Sequence, residues 1–203
     1  MITKQFLHIG CGPKIISKDL PAYFRSPEWK EIRLDIDPQN EPDIVASMLD
    51  MHVVPDNSFD AVYSSHNIEH LYAHEVPIML SEVRRVLKAD GFFVVTCPDL
   101  QEVCRYVADD KLMPPLYNSS SGPISPIDIL YGHRGYIQSG NLFMAHKTGF
   151  TMTSLLDALG KAQFMVASYK RVKLALSLWV CASKEFTSTE TLEALAKEIF
   201  PKI

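Results

Sequence analysis

The feature that most restricts the fold of this chain is an apolar run closed by a glycine turn, Leu7-His-Ile-Gly-Cys-Gly-Pro13, which heads a series of further strand-sized apolar runs. Four to eight apolar residues that stop at Gly or Pro read as a buried strand, and such strands alternating with helical periodicity describe a parallel sheet with crossover helices. Phe6–Ile9 is the first strand, Glu31–Ile36 the second, Asp43–Ser47 a short third and Ser58–Ser64 the fourth. From Val76 to Lys88 the spacing of Ile78, Leu80, Val83, Val86 and Leu87 is helical, with Pro77 in the first turn and Gly91 just past the end. Phe92–Thr96 is a fifth strand, followed by a helix over Leu100–Val107 and another over Thr151–Lys161. Phe164–Arg171 and Leu174–Ala182 are two closing strands, joined closely enough to be antiparallel, and Thr189–Phe200 is a short amphipathic helix. The fold class is therefore α/β.

In open sheets of this class, ligands sit at the carboxyl ends of the strands, near the point where strand order reverses. Gly10 and Gly12 allow a tight turn there and close approach of the backbone to a ligand. As a dinucleotide fingerprint the turn is incomplete, because Ile15 stands where a third glycine is needed. The following stretch, Lys14–Trp29, carries Pro21 and Pro27 and only a weak helical period. A pyrophosphate requires a good helix N-terminus; S-adenosylmethionine has no phosphate and does not. The second strand ends in Asp35-Ile-Asp37, at the right distance for carboxylates that accept ribose hydroxyls, with Asp35 the first choice. The third leads into Asp50-Met51, suited to the amino group and ring face of adenine. Each residue alone also fits a turn or a core position. Three consecutive strand ends suited to parts of one adenosyl ligand are more informative.

Taken in order, Leu7-His-Ile-Gly-Cys-Gly-Pro, Leu34-Asp-Ile-Asp-Pro, Leu49-Asp50, Asn57-Ser-Phe-Asp-Ala-Val-Tyr-Ser-Ser-His66, Glu69-His70, Glu82-Val-Arg-Arg-Val-Leu-Lys-Ala-Asp-Gly91 and Cys97-Pro-Asp99 resemble the class I methyltransferases that use S-adenosylmethionine, in particular small bacterial ones of the type 11-like group. The resemblance covers about the first half of the chain. It implies a Rossmann-like, mostly parallel sheet of seven strands with the last antiparallel, helices on both faces, and S-adenosylmethionine across the ends of the first, second and fourth strands. Gly10, Gly12, Asp35, Asp37, Asp50, Met51, Ser64, Ser65 and His70 are then the candidate cofactor residues. Family members carry helices before the first strand that cover the acceptor. Here the first strand comes almost at once, and the Pro-, Gly-, Ser- and Tyr-rich stretch Lys111–Lys147 is expected to serve as the lid of a single domain spanning residues 1–203. A structureless loop of that length is usually functional or mobile.

Ser64, Ser65 and His66 end the fourth strand, and His66, His133 and His146 are the candidates for acceptor chemistry, since imidazole titrates near neutral pH. His66-Asn-Ile-Glu-His70 also reads as the inverted zinc-peptidase pattern. That motif needs one continuous helix, and here it follows a strand with Pro77 downstream; a third ligand is not evident, so no metal is expected. Tyr63-Ser-Ser-His66 is not the Asp/Asn-Pro-Pro-Tyr signature of amine methylases, and Cys97 lacks the companion Pro-Cys of RNA cytosine methylases. A net charge of −4 without a basic run disfavours nucleic acid. By elimination the acceptor is a small-molecule or sugar-like hydroxyl. Rival readings are a non-catalytic module that binds S-adenosylmethionine and, further off, an NAD-dependent dehydrogenase. Four scattered cysteines, no signal-like N-terminus and no bilayer-length apolar run point to a cytoplasmic protein without a membrane partner, with a homodimer left open.

Overall fold

The computed structural model describes residues 4–14, 20–119, 122–185 and 187–202. Its main sheet contains β1 (Lys4–Ile9), β2 (Trp29–Asp35), β3 (Ile44–Val45), β4 (Phe59–Ser65), β5 (Leu87–Pro98), β8 (Val166–Val172) and β9 (Ser177–Ser183), in the order β3-β2-β1-β4-β5-β9-β8. The pairs β1·β2, β2·β3, β1·β4 and β4·β5 are parallel, and β9 runs antiparallel to both β5 and β8. This is the expected seven-stranded, mostly parallel sheet. Strand order reverses between β1 and β4, where Ile9 lies beside both Leu34 and Ser64.

The period of two along each strand divides the core between the two faces. Leu7, Ile9, Phe93 and Val95 point to one side and pack with Met79, Leu80 and Val83 of α1 (Val76–Val86) and with Leu155 and Leu159 of α5 (Met152–Lys161). Phe6, Ala61, Phe92 and Val94 point to the other, under Phe24, Trp29 and the final helix α6 (Thr189–Ile199). Phe6 and Phe24 stack with ring centroids 4.5 Å apart. Only a short 3-10 turn, Ala22–Arg25, forms on this side between β1 and β2 among the described residues, so α6 covers the rest. Buried Leu192, Ile199 and Phe200 each contribute about 2 kcal/mol. Ile15, where a third glycine would stand, lies outside the described residues.

Two expectations change. Gly91 lies within β5 and not at a helix end: α1 stops at Val86, and a Cβ at Gly91 would sit 2.9 Å from the Lys88 carbonyl oxygen. The stretch 111–147 is largely structured. It holds the hairpin β6 (Tyr117–Ser119) and β7 (Gly122–Ile124), then α3 (Pro126–Tyr131), α4 (Arg134–Gln138) and a 3-10 turn at Leu142–Met144. Proline at the first turn and a Ser125–Asp128 capping box start α3, and buried Asp128 pairs with Arg134 at 2.7 Å. The burial of short side chains in capping roles hid these elements from a periodicity reading. No helix among the described residues is long and apolar enough to cross a membrane.

Asp99, 1% exposed, closes β5 and caps α2 (Leu100–Ala108) by accepting from the Gln101 amide. Its other oxygen accepts from Arg171 of β8 at 2.9 Å, which ties the antiparallel end of the sheet to the strand ends. Removing the guanidinium leaves a buried charge without its partner. Arg171→Met is expected to lower unfolding free energy by about 3 kcal/mol, read in urea as a lower midpoint with an unchanged slope.

Candidate active site

The turn after β1 is built by contacts from both neighbouring strands. Gly10 and Gly12 have φ of +61° and +59°, in the left-handed region that glycine enters without strain. A Cβ at Gly10 would stand 2.1 Å from Asn67 Oδ1, so the missing side chain makes room for Asn67. Asn67 Nδ2 donates to the carbonyls of Ile9 at 3.1 Å and Ser65 at 2.8 Å, lashing the ends of β1 and β4 together. From the other side, the Gly12 amide donates to Asp35 Oδ2 at 2.8 Å and the Arg33 guanidinium donates to the Gly12 carbonyl. Asp35 Oδ1 accepts from the Asp37 amide at 2.9 Å, and Asp37 Oδ1 accepts from Gln39 at 2.9 Å. Burial beside this carboxylate raises the Cys11 thiol to about 12, against the pull of Arg33.

Asp50 is exposed at the edge of an open groove of about 630 Å³ that Leu49, Glu82 and Arg85 also line. Its Oδ1 lies 2.9 Å from His52 Nδ1, and that hydrogen bond lowers its pKa. Met51 is fully buried, and its backbone is clamped by α1: its amide donates to Glu82 Oε2 and its carbonyl accepts from Arg85, both at 2.8 Å. Arg85 also donates to the Val54 carbonyl and to Asp56. The Glu82-Val-Arg-Arg85 phrase thus has a physical role, fixing the loop after β3. At the end of β4 the buried Ser64 hydroxyl has no hydrogen-bond partner, while Ser65 Oγ lies 3.0 Å from Thr96 Oγ1.

Beyond β4 the chain turns sharply at His66, φ +53°, whose amide donates to the Thr96 carbonyl. Ile68–His70 form one 3-10 turn, so the His-x-x-Glu-His segment is not a long helix. Glu69 is 1% exposed, and neither carboxylate oxygen has a hydrogen-bond partner; His66 Nδ1 stands 3.4 Å from Oε1. Burial pushes this carboxyl up, but the imidazoles of His66, His70 and His146 outweigh it and hold it below the usual range. His146 arrives from the 111–147 segment, where a close approach at Gly132 permits the docking: a Cβ there would meet the Met144 carbonyl oxygen at 2.0 Å. The Lys147 and Thr148 amides both donate to the Glu69 carbonyl. Burial lowers the His146 pKa. A cavity of about 270 Å³ opens here, lined by Glu69, Pro98, Leu100, Tyr131, His146 and Lys147 among others. His133 is engaged elsewhere, its Nδ1 accepting from the Tyr136 amide to cap α4. Arg134 is committed to Asp128.

Residues 7–95, from β1 into β5, match a family model described as a methyltransferase domain. Over those residues the chain carries a methyltransferase domain, and S-adenosylmethionine is the methyl donor that the match implies. Among solved structures it is similar to a SAM-dependent methyltransferase from Archaeoglobus fulgidus, at 14% identity and a TM-score of 0.57, over 89% of this chain and 86% of that one. A second, from Methanosarcina mazei, has 16% identity and a TM-score of 0.59, over 92% and 95%. The CMeT domain of the citrinin polyketide synthase has 12% identity and a TM-score of 0.59; it is matched by 91% of this chain, which spans 47% of that one. At such identities the likeness bears on fold alone. No curated protein sequence matches the chain.

The strand ends of the matched methyltransferase domain have the chemistry an adenosyl ligand asks for. Asp35 Oδ2 accepts from the Gly12 amide and the Cys11 thiol while Oδ1 accepts from one amide and keeps a lone pair, Asp37 Oδ1 accepts from the Gln39 amide, and the Ser64 hydroxyl is an orphaned buried polar atom at the switch point. Sequence reasoning gave no site role to Arg33, Asn67 or the Glu82–Arg85 clamp, although Asn67 lies inside the His66-Asn-Ile-Glu-His70 phrase and Glu82–Arg85 inside the Glu82–Gly91 phrase of the resemblance.

Burial sets thiol reactivity at this site. Cys11, Cys97 and Cys181 are buried with raised pKa values, and Cys104 alone is exposed. Thiolate is the reactive form. A disulfide reagent at pH 8 is expected to modify one thiol in the native protein, at Cys104 by peptide mapping, and four after denaturation.

Proposed function

We propose that this methyltransferase transfers its methyl group to the hydroxyl of a small molecule, sugar-like or otherwise, held in the cavity between Glu69 and His146. The observation that carries this reading is the cavity itself, whose small volume and mixture of apolar walls with one imidazole and one carboxylate suit a compact polar acceptor. It lies just outside the carboxyl ends of β4 and β5, next to the switch point. Bound S-adenosylmethionine supplies a methyl group already activated on a sulfonium.

In this reading Asp35 and Asp37 accept from the ribose hydroxyls, and Asp50 accepts from the adenine amino group beside Met51. Gly10, Gly12, Ser64 and Ser65 complete the cofactor wall, while His70 packs against His146 with ring centroids 4.9 Å apart. Alignment and exclusion of water are the main contributions of the protein, with the segment 111–147 acting as the lid of one domain. An oxygen acceptor must lose its proton, and His66, exposed at the end of β4, accepts it; His146 orients the hydroxyl from the cavity wall. His133 has a capping role instead, which leaves it at the lid surface.

Calorimetric titration with S-adenosylmethionine and S-adenosylhomocysteine, with NAD as control, tests the cofactor half. Asp35→Ala removes an acceptor of charged hydrogen bonds and the anchor of Gly12, and is expected to weaken both adenosyl ligands by about 30-fold or more. Unchanged affinity would remove Asp35 from the site. Transfer of labelled methyl to a panel of phenols, sugars and hydroxy acids tests the acceptor half; labelling confined to amines or nucleic acid would overturn it.

A further inference from the structure

We infer that Glu69, His70 and His146 form a binding site for a divalent transition-metal ion that opens on the acceptor cavity. One ligand atom from each residue lies within 4.8 Å of the others. The two histidines are prepared as ligands in the same way. His70 Nδ1 lies 3.1 Å from the Ala145 carbonyl oxygen and His146 Nδ1 lies 2.7 Å from that of Ile129. A carbonyl only accepts, so each Nδ1 carries the proton and each Nε2 keeps its lone pair. Fixing the tautomer of a histidine through a backbone carbonyl is the usual support of a metal-binding imidazole.

The third group points to a cation independently. A carboxylate 1% exposed with neither oxygen hydrogen-bonded is a costly arrangement. His66 Nδ1 pairs with Oε1 at 3.4 Å, without a hydrogen bond to either oxygen. A divalent ion would satisfy both. Metal bonds of about 2.1 Å place ligand atoms about 3.4 Å apart in a tetrahedral site, so the three groups close on an ion by moving inward by about an ångström. Two imidazoles and one carboxylate suit zinc or a neighbouring first-row ion and leave positions open. Both Glu69 and His146 line the cavity, so the open positions face the acceptor.

The site also explains what the His-x-x-Glu-His segment does without a helix: the third ligand comes from position 146, brought in by the lid. That is why spacing within the segment alone gave no metal. The function of the ion rests on the acceptor reading above: a hydroxyl on an open position gives up its proton more readily, and His66, paired with Glu69, receives it. The existence of the site does not rest on that reading.

The test is to strip the whole chain with a chelator, titrate it with Co2+ and then Zn2+, and titrate S-adenosylhomocysteine separately. One equivalent of Co2+ is expected to bind with visible ligand-field bands and to be displaced by Zn2+. Glu69→Gln and His146→Gln are expected to weaken Zn2+ at least 100-fold while each holds S-adenosylhomocysteine within about threefold of the parent. Loss of S-adenosylhomocysteine binding by the unaltered chain alone would count against the cofactor reading and leave the metal result standing. If a variant does not fold, proton NMR of the Co2+-loaded parent decides, with strongly shifted ring resonances from two of the seven histidines. No stoichiometric Co2+, no shifted imidazoles, or Zn2+ affinity unchanged in both folded variants overturns the site.

Discussion

The Asp35 carboxylate is the constraint on which the cofactor end depends. One oxygen receives the Gly12 amide and the other the Asp37 amide, so a single side chain sets the shape of the turn after β1 and of the turn after β2. Arg33, two residues earlier on the same strand, grips the Gly12 carbonyl and the carbonyl of Glu41. Acceptor and donor thus reach the turn from one strand, and Asn67 holds it from the opposite side. The glycine turn is thus supported from three sides by the strands that flank it.

What was legible in the sequence follows from what leaves a periodic trace. Strands buried on both faces read as continuous apolar runs, so β1, β2, β4, β5 and the closing pair were found within a few residues. α1 and α5 bury one stripe each and were found by spacing. Elements stabilised by local hydrogen bonds were not found. α3 and α4 are too short for a period, and their stability comes from the Ser125–Asp128 box, the Asp128–Arg134 pair and the His133 cap. At the candidate site, the strand-end acids could be named because topology puts ligands at strand ends. The pairing of His70 with His146 could not, because it joins positions 76 residues apart through the fold of the intervening segment.

That segment connects the two halves of the reading. Its backbone meets the fourth strand's extension at Glu69, where the amides of Lys147 and Thr148 converge on one carbonyl, and it returns along Gly132 and Ala145. A glycine at 132 is required because the two stretches pass closer than a side chain allows. The cavity wall and the imidazoles are consequences of one docking event. Electrostatically this region is the reverse of the Asp35 end: there a carboxylate holds one amide on each oxygen, and here one is buried beside imidazoles with no hydrogen bond to either oxygen.

The strand order carries a consequence for how the chain is made. β9 lies between β5 and β8, yet it leaves the ribosome after both. Until it arrives, the nascent sheet ends at β5 with an apolar edge of unpaired amides and carbonyls, and β8 has no neighbour to pair with. Long-range insertion of this kind is slow and leaves adhesive edges exposed while it proceeds. The interval between synthesis of the fifth strand and of the ninth is therefore when this molecule is most open to self-association and has most use for a chaperone.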